Sequence, residues 1–422
     1  MQEGAPDDSE LDQALDYSGA LQFEPGDYTP AVPWGTSQQG PLSEHLNQQQ
    51  AAILEFVTHP GAGRDNQRKA LKERWGTACF LVKAGPTGLR IRIFFLASAT
   101  ETKIKQAVQG EDNIPDRAGL VNLADWSSQV HGAKNLDSLG WDLFPPMLMR
   151  ELDDCKRLYL CPDRRLFLVP LHALPRKQPL YQRFDVLYAL KTSYLAHQLH
   201  SHAQERWGHG CYALIDRDAL IDRDSQEGVE VYMAEICDAL GFRARWYRPL
   251  RCSEDILREG SLARQVVICS HGQVDPARPG KTRLRLWGGG RLLADDIKRI
   301  ARQGVKLGGT DWLVAACDAA STHVAMSMAP GLAQSLVLAG ARVVTSSLYR
   351  LNPETASRFV SAYLGAAKRR VQLPFMAALK EMARTERESW DRRFVLCGAF
   401  VTYGVFENRE GIPQRPGPKS SP

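Results

Sequence analysis

The sequence lacks any run that approaches the roughly 18 uncharged apolar residues that a membrane helix needs. Its first residues, MQEGAPDDSELDQ, also lack the basic and apolar parts of a secretory leader. Nine cysteines are present without a single Cys-x-x-Cys pair, which argues against a zinc site and against a disulfide framework. We therefore expect a cytoplasmic protein with no membrane partner, no metal and no other cofactor.

Basic residues are missing from the first part of the chain. Residues 1–63 contain ten Asp and Glu and no Lys or Arg, although the whole chain has a net charge of +5. Acidic residues, Gln, Gly and Pro with few large apolar groups are typical of disordered segments. We expect an acidic, flexible segment over 1–63 with a short helix from Ser43 to Val57. As a hypothesis, this segment lies against the basic remainder and docks a partner or restrains the active site.

Lys and Arg are not gathered into one basic stretch, so we do not expect direct binding of nucleic acid. The overall content of 44% hydrophobic and 24% charged residues is that of a globular protein. A hairpin is predicted from two apolar runs, 78–84 and 90–98, around a GPTG turn. A direct repeat, ALIDRD-ALIDRD at 213–224, is interpreted as a duplicated surface loop, with substrate contact or self-cleavage as the alternative.

From residue 210 onward, apolar strand patterns alternate with helical ones, which predicts an α/β fold with a mostly parallel sheet of six strands and helices on both faces. One helix is predicted to begin at the Asn352 cap with Pro353 in its first turn. The predicted strands are 211–215, 243–250, 265–270, 311–316, 341–347 and 394–406.

Two of these strands end at residues that could carry chemistry. His271 and Gly272 follow one strand, and Cys317 follows the next strand of the same pattern. In open α/β sheets, reactive groups gather beyond the carboxyl ends of strands. A thiolate with an imidazole nearby can attack a carbonyl, and the imidazolium can protonate the leaving amine. The N–H groups of Gly272 and Cys317 are the predicted oxyanion donors.

Other interpretations of these residues stay open. A cysteine after an apolar strand is often a packed core residue, and a His-Gly pair is often a turn. His323 is a competing base because it lies six residues after Cys317. Cys269 and His271 could instead bind a metal, although no second pair of ligands accompanies them.

Five segments of the chain can be compared with known families. They are LYLCPDRRLFLVPLHALP, SHG at 270–272, AACDAAS at 315–321, LVLAGARVVTSSLYRLNPETASRFVSAYL at 336–364, and FVLCGAF. These segments resemble CHAT domains, the bacterial caspase-like and separase-like cysteine peptidases of clan CD, and they occur in that family's order within residues 75–406.

The resemblance implies a caspase-hemoglobinase fold in two halves, of which the amino-terminal one is a degenerate pseudo-half without catalytic residues. The expected division is a pseudo-half over 64–205, a catalytic half over 206–410 and a disordered tail over 411–422. It also implies that His271 is the general acid/base and Cys317 the nucleophile. This chain departs from many relatives by having Asp318, Ala319 and Ala320 after the cysteine, which puts the geometry of that loop in doubt.

In resembling peptidases the substrate pocket lies beside the cysteine loop and along the following strand, here Asp318, Ser346, Ser347 and Leu348. An acidic group there favours Arg or Lys before the cut bond, but Asp318 could equally cap the next helix.

The expected function is a cysteine endopeptidase that makes limited, regulated cuts in a protein substrate, under the control of an activating partner or regulator. The resemblance implies bacterial defence or signalling, with a gasdermin-like pore former or a toxin regulator as the substrate. The alternative is an inactive caspase-like interaction module.

Overall fold

The computed structural model describes residues 36–58, 76–86, 88–109, 130–175, 177–202, 211–215, 253–270, 272–273, 283–285, 291–305, 307–316, 331–348, 353–369, 371–385 and 397–406. Its strands, in chain order, are β1 (Ala51–Thr58), β2 (Thr77–Gly85), β3 (Gly88–Leu96), β4 (Arg157–Cys161), β5 (Asp185–Tyr188), β6 (Cys211–Ile215), β7 (Gln265–Cys269), β8 (Gly272–Gln273), β9 (Arg283–Arg285), β10 (Arg291–Leu293), β11 (Asp311–Ala315), β12 (Val343–Ser347) and β13 (Phe400–Gly404).

Helices connect and cover these strands. They are α1 (Thr36–Gln49), α2 (Glu101–Gln109), α3 (Val130–Leu143), α4 (Pro146–Glu151), α5 (Leu180–Arg183), α6 (Thr192–His202), α7 (Ser253–Leu262), α8 (Ala294–Arg302), α9 (Leu332–Leu338), α10 (Pro353–Lys368) and α11 (Pro374–Thr385). Two short 3-10 helices, Arg164–Leu168 and Leu171–Ala173, lie between β4 and β5. Within the described residues, no helix has both the length and the apolar character needed to cross a membrane.

The described strands form a ten-stranded sheet and a small three-stranded one. The order in the large sheet is β3-β2-β1-β4-β5-β13-β12-β11-β7-β6, and in the small sheet β10-β9-β8. Strands β1, β4, β5 and β13 are parallel to one another, and so are β12, β11, β7 and β6. The two blocks meet where β13 pairs with β12 in the antiparallel sense. The carboxyl ends of β6, β7, β11 and β12 therefore share one end of the sheet, opposite to the carboxyl ends of β1, β4 and β5.

Both faces of the large sheet are buried. Along β1, the side chains alternate between a larger core cluster, which contains Leu54 and Phe56, and a smaller one, which contains Ile53. Helices α1 and α6 cover the smaller cluster through Leu46 and Leu195, while most of the other helices pack against the larger one. Apolar residues on both faces of a strand are typical of a parallel sheet between helical layers. The predicted mostly parallel sheet with helices on both faces is confirmed.

The helix predicted from Ser43 to Val57 is wrong, since α1 ends at Gln49 and residues 51–58 form β1. A flexible segment up to residue 63 is accordingly wrong for residues 36–58, because β1 lies inside the sheet between β2 and β4. The side chains of the run AAILEFV are almost all buried, on both faces of the strand. An amphipathic helix would bury only one face of the same run. Its acid, Glu55, is buried and accepts the Thr192 N–H at 3.2 Å.

Most other element predictions agree with the structure. The hairpin is β2 and β3, four predicted strands of the second half are β6, β7, β11 and β12, and the helix at Pro353 is α10. The last predicted strand, 394–406, is shorter than expected and covers Phe400–Gly404. The predicted strand 243–250 and the boundary near residue 206 lie outside the described residues. The sheet is larger than the six strands expected, because the first half continues it through β5.

Candidate active site

The predicted dyad residues and the predicted acid of the substrate pocket, His271, Cys317 and Asp318, lie outside the described residues, as does His323. The structure describes the strands that lead to them. β7 ends at Cys269 and β11 at Ala315, and both strands are buried over most of their length because the sheet is covered on both faces.

These two strands are direct neighbours and run in parallel. Cys269 is the register partner of Ala315, and the Ser270 N–H donates to the Ala315 carbonyl at 3.2 Å. Residues 271 and 317 each follow this pair by two positions in sequence. β7 and β11 thus end side by side, and each strand ends two residues in sequence before one of the two predicted functional residues.

The small sheet begins immediately after position 271. Gly272 opens β8 and is the register partner of Leu284 in β9. The Ser270 hydroxyl donates to the Arg285 carbonyl, which joins the end of β7 to the same sheet. On the other side, the Ser253 hydroxyl of α7 bonds the Arg291 carbonyl of β10 at 2.9 Å. The Ser270 and Ser253 hydroxyls therefore fasten the small sheet to the end of β7 and to α7.

The predicted substrate-binding residues Ser346, Ser347 and Leu348 lie at the end of β12, next to β11, and are buried. The Ser346 hydroxyl donates to the Val314 carbonyl at 3.2 Å, and the Ser347 hydroxyl donates to the Ala316 carbonyl. Both serine side chains therefore fasten β12 to the strand that precedes position 317. Both hydroxyls therefore already bond to backbone carbonyls and do not point into an open pocket.

Three described cysteines have raised thiol pKa values, which makes them less reactive. Burial raises the pKa of Cys79 and of Cys161 well above the ordinary range, with Glu55 adding to both effects. Burial also raises the pKa of Cys155 to about 11. A thiol with a raised pKa is a poor nucleophile at neutral pH. In the described part of the chain, no group of three or more His, Cys, Asp or Glu is placed to hold a metal ion.

Two structural supports of this region have only a weak signal in the sequence. One is Ser270, whose only signal is a hydroxyl directly before the His-Gly pair. The other is the segment 397–399, whose Ala399 carbonyl accepts the Leu348 N–H at 2.7 Å. Its signal is the FVLCGAF segment, which predicts a last strand but not this contact.

Comparisons with known proteins agree with this architecture. The family described as CHAT domain matches residues 134–394, more than half of the chain. Separase from Saccharomyces cerevisiae, in its complex with securin, superposes with a TM-score of 0.53 at 10% identity, over 87% of this chain and 30% of the separase chain. This likeness shows a shared fold, and the chain spans less than a third of that separase.

Two further solved structures superpose less closely. The Arg-specific cysteine proteinase gingipain R gives a TM-score of 0.40 at 12% identity, over 65% of this chain and 67% of that chain. The complex of the pro- and mature domains of RgpB from Porphyromonas gingivalis gives 0.41 at 11% identity, over 65% and 69%. No curated protein sequence matches this chain.

Proposed function

The chain belongs to the CHAT domain family of caspase-like cysteine peptidases, and from that membership we propose that it is an endopeptidase with Cys317 as nucleophile and His271 as general acid/base. The endopeptidase makes limited cuts in a protein partner.

One observation carries this proposal. Cys269 pairs with Ala315 on adjacent parallel strands, and His271 and Cys317 each follow this pair by two residues in the sequence. Neighbouring strands are ~4.8 Å apart, which supports the proposal that the two side chains meet. The end of such strands is where open α/β sheets assemble reactive groups.

The proposed reaction begins when His271 takes the proton of the Cys317 thiol. The thiolate attacks the carbonyl carbon of the substrate, and the N–H groups of Gly272 and Cys317 bind the oxygen that becomes negative. The intermediate collapses with cleavage of the C–N bond, while His271 protonates the leaving amine. Water, deprotonated by His271, then hydrolyses the thioester and restores the free thiol.

Substrate preference is proposed to depend on Asp318 and on the backbone of Ser346, Ser347 and Leu348. The two serine hydroxyls support this division of roles, because they already donate to the Val314 and Ala316 carbonyls. Ser346, Ser347 and Leu348, at the end of β12, then form one wall of the substrate pocket, called the substrate wall below. The Asp318 carboxylate supplies the negative charge of the pocket. We expect Arg or Lys before the cut bond, since a carboxylate pairs with a guanidinium or an ammonium group.

The proposed substrate is a dedicated protein, either a gasdermin-like pore former or a toxin regulator in a bacterial defence or signalling pathway, cut in the cytoplasm. An activating partner or regulator controls access to the site. Mass spectrometry of new protein termini, after co-expression of the wild type or Cys317→Ala with proteins encoded beside it, identifies that substrate.

Electrophile labelling tests the catalytic assignment. We expect iodoacetamide to modify Cys317 on the order of tenfold faster than any of the other eight cysteines, because His271 increases its thiolate fraction. His271→Ala removes that advantage, whereas His323→Ala is the matched control and preserves it. Peptidyl electrophiles with Arg or Lys next to the reactive group label Cys317 faster than those with Asp. Tryptic mass spectrometry reads each site.

The outcomes separate the alternatives. Uniform labelling of the cysteines supports the inactive interaction module and contradicts the peptidase. If His323→Ala loses the selective labelling and His271→Ala keeps it, the base is His323 and the assignment of His271 is wrong. Equal labelling by the Arg and Asp electrophiles removes the charge preference but leaves the nucleophile in place.

A further inference from the structure

A histidine of the amino-terminal half is completely buried against the catalytic half. His172 lies in the 3-10 helix Leu171–Ala173 and has no exposed surface. Its Nε2 is 2.7 Å from the carbonyl oxygen of Cys397, just before β13. Its Nδ1 is 2.9 Å from the Tyr188 hydroxyl on β5. The ring of Phe375 in α11 packs edge-on against it at 5.8 Å.

The bonding partners determine the proton positions on this ring. A carbonyl oxygen only accepts, so Nε2 carries the hydrogen and donates to Cys397. Nδ1 is then unprotonated and accepts from the Tyr188 hydroxyl, which itself accepts the His172 backbone N–H at 3.1 Å. Burial lowers the pKa of His172 to about 4, so the neutral ring that this network requires is present at neutral pH.

The contact continues to the proposed substrate wall. Two residues after Cys397, the Ala399 carbonyl accepts the Leu348 N–H at 2.7 Å. The preceding residue, Ser347, donates its hydroxyl to the Ala316 carbonyl, directly before position 317. Gly398, between Cys397 and Ala399, also lies close to the first half, since a Cβ on Gly398 would be 3.1 Å from the Cβ of Pro170.

We propose that His172 is a positioning residue of the peptidase, which holds the segment 397–399 so that Leu348 and the end of β12 form the substrate wall. The inference rests on the proposed function. His172 contacts neither the substrate nor the reacting atoms, and it acts through two backbone carbonyls. The first half of the chain thereby contributes to substrate binding without supplying a catalytic side chain.

Two substitutions of His172 by amide side chains distinguish a positioning role from a role in core packing alone. The amide of Asn occupies the place of Nδ1, so His172→Asn keeps an acceptor for Tyr188 and loses the donor to Cys397. The longer side chain in His172→Gln returns an N–H to the place of Nε2. We expect the Asn variant to be impaired and the Gln variant to resemble the wild type.

Hydrogen–deuterium exchange and labelling of Cys317 give independent readouts. In His172→Asn, exchange in the peptide covering 343–348 rises on the order of tenfold, because a buried hydrogen bond is lost behind it. Labelling of Cys317 by the peptidyl Arg electrophile falls by a similar factor. Labelling by iodoacetamide, which is too small to need the wall, keeps its wild-type rate.

Each other outcome has a defined meaning. Equal behaviour of the Asn and Gln variants, unchanged exchange over 343–348, or a parallel fall in iodoacetamide labelling overturns the proposal. If the wild type shows no selective labelling while exchange still separates Asn from Gln, the peptidase proposal fails and the contact through Cys397 is supported. If His172→Asn does not fold, Gly398→Ala displaces the same segment from Pro170 and is expected to change exchange and peptidyl labelling in the same direction.

Discussion

Burial changes the pKa values of several ionisable side chains in the first half of the molecule. Asp163 is nine-tenths buried beyond the end of β4, and its carboxylate accepts the Thr58 N–H at 2.9 Å. Burial raises its pKa to about 6, partly opposed by that N–H and by Arg164 and Lys191, while Glu55 adds to the rise. His45 and His172 have pKa values lowered to about 4, mainly by burial.

These shifts affect stability in opposite directions. The folded state holds the Asp163 proton more tightly than the unfolded state, so this residue's contribution is largest at low pH and is lost as the pH rises through about 6. The two histidines bind protons more weakly when folded, so their contribution is present above their ordinary pKa of ~6.5 and is lost as the pH falls.

Asp163→Asn isolates the first of these effects. An amide oxygen still accepts the Thr58 N–H, but no charge is buried at neutral pH. We expect the difference in free energy of unfolding, Asn minus Asp, to move in favour of Asn by about 2 kcal/mol between about pH 4 and about pH 7. Urea unfolding of both proteins across this range measures it. A difference that stays constant with pH contradicts a raised pKa at Asp163.

At this scale, the sequence predicts candidate catalytic residues but does not indicate which ionisable side chains are buried. His271 and Cys317 could be singled out because each follows a recognisable apolar strand. His45 and His172 could not, because nothing local distinguishes a surface histidine from one that is enclosed by a tyrosine hydroxyl and a distant backbone. The Tyr159 partner of His45 is 114 residues away in the chain, and the Cys397 partner of His172 is 225 residues away.

At the scale of elements, a glycine permits the close contact between α7 and β11. A Cβ on Gly260 would lie 2.7 Å from Cζ2 of Trp312. That indole is completely buried, and its N–H donates to the Thr310 hydroxyl at 2.7 Å. The ring therefore has little freedom to move aside, and the helix rests directly on the strand that leads to position 317.

Gly260→Ala is expected to lower the free energy of unfolding by about 1–3 kcal/mol, because overpacking outweighs the gain in helix propensity. Gly40→Ala is the matched control: Gly40 lies in α1 with open space where a Cβ would be, so its substitution should be neutral or slightly stabilising. Chemical denaturation measures both. An unchanged midpoint in Gly260→Ala would mean that α7 and Trp312 separate at little cost.

Strand predictions succeeded where an apolar run stood between clear breaks, as in β7, β11 and β12. β1 was missed because its run joins the acidic segment without a Gly or Pro between them, and because Ile53, Leu54 and Val57 also match helical spacing. The deciding fact is tertiary. Both faces of β1 are covered, by α1 on one side and the larger core cluster on the other.

At the scale of the whole molecule, the two halves are interlocked. β13 belongs to the second half in sequence, yet it pairs with β5 through Tyr403 and Tyr188. The Tyr194 hydroxyl of α6 donates to the Val337 carbonyl at 2.7 Å, and the Tyr159 hydroxyl accepts the Phe406 N–H at 2.7 Å. The change in pattern near residue 210 predicts a division into a first and a second half, and that boundary lies outside the described residues. The antiparallel direction of β13 was not predictable, because strand direction depends on the connection before it.

This interlocking predicts that neither half folds alone. A chain of residues 206–422 would leave β13 as an edge strand and would expose the buried Tyr403, whose ring now lies 5.7 Å from that of Tyr188 in the first half. A chain of residues 1–205 would expose Tyr188 and the ring of His172. We expect each fragment to aggregate or to bind a hydrophobic dye, and the full chain to unfold in one transition by both circular dichroism and tryptophan fluorescence. A fragment 206–422 with its own sigmoidal unfolding would show instead that β12 alone is enough to hold β13, and that the second half is a domain that folds without the first.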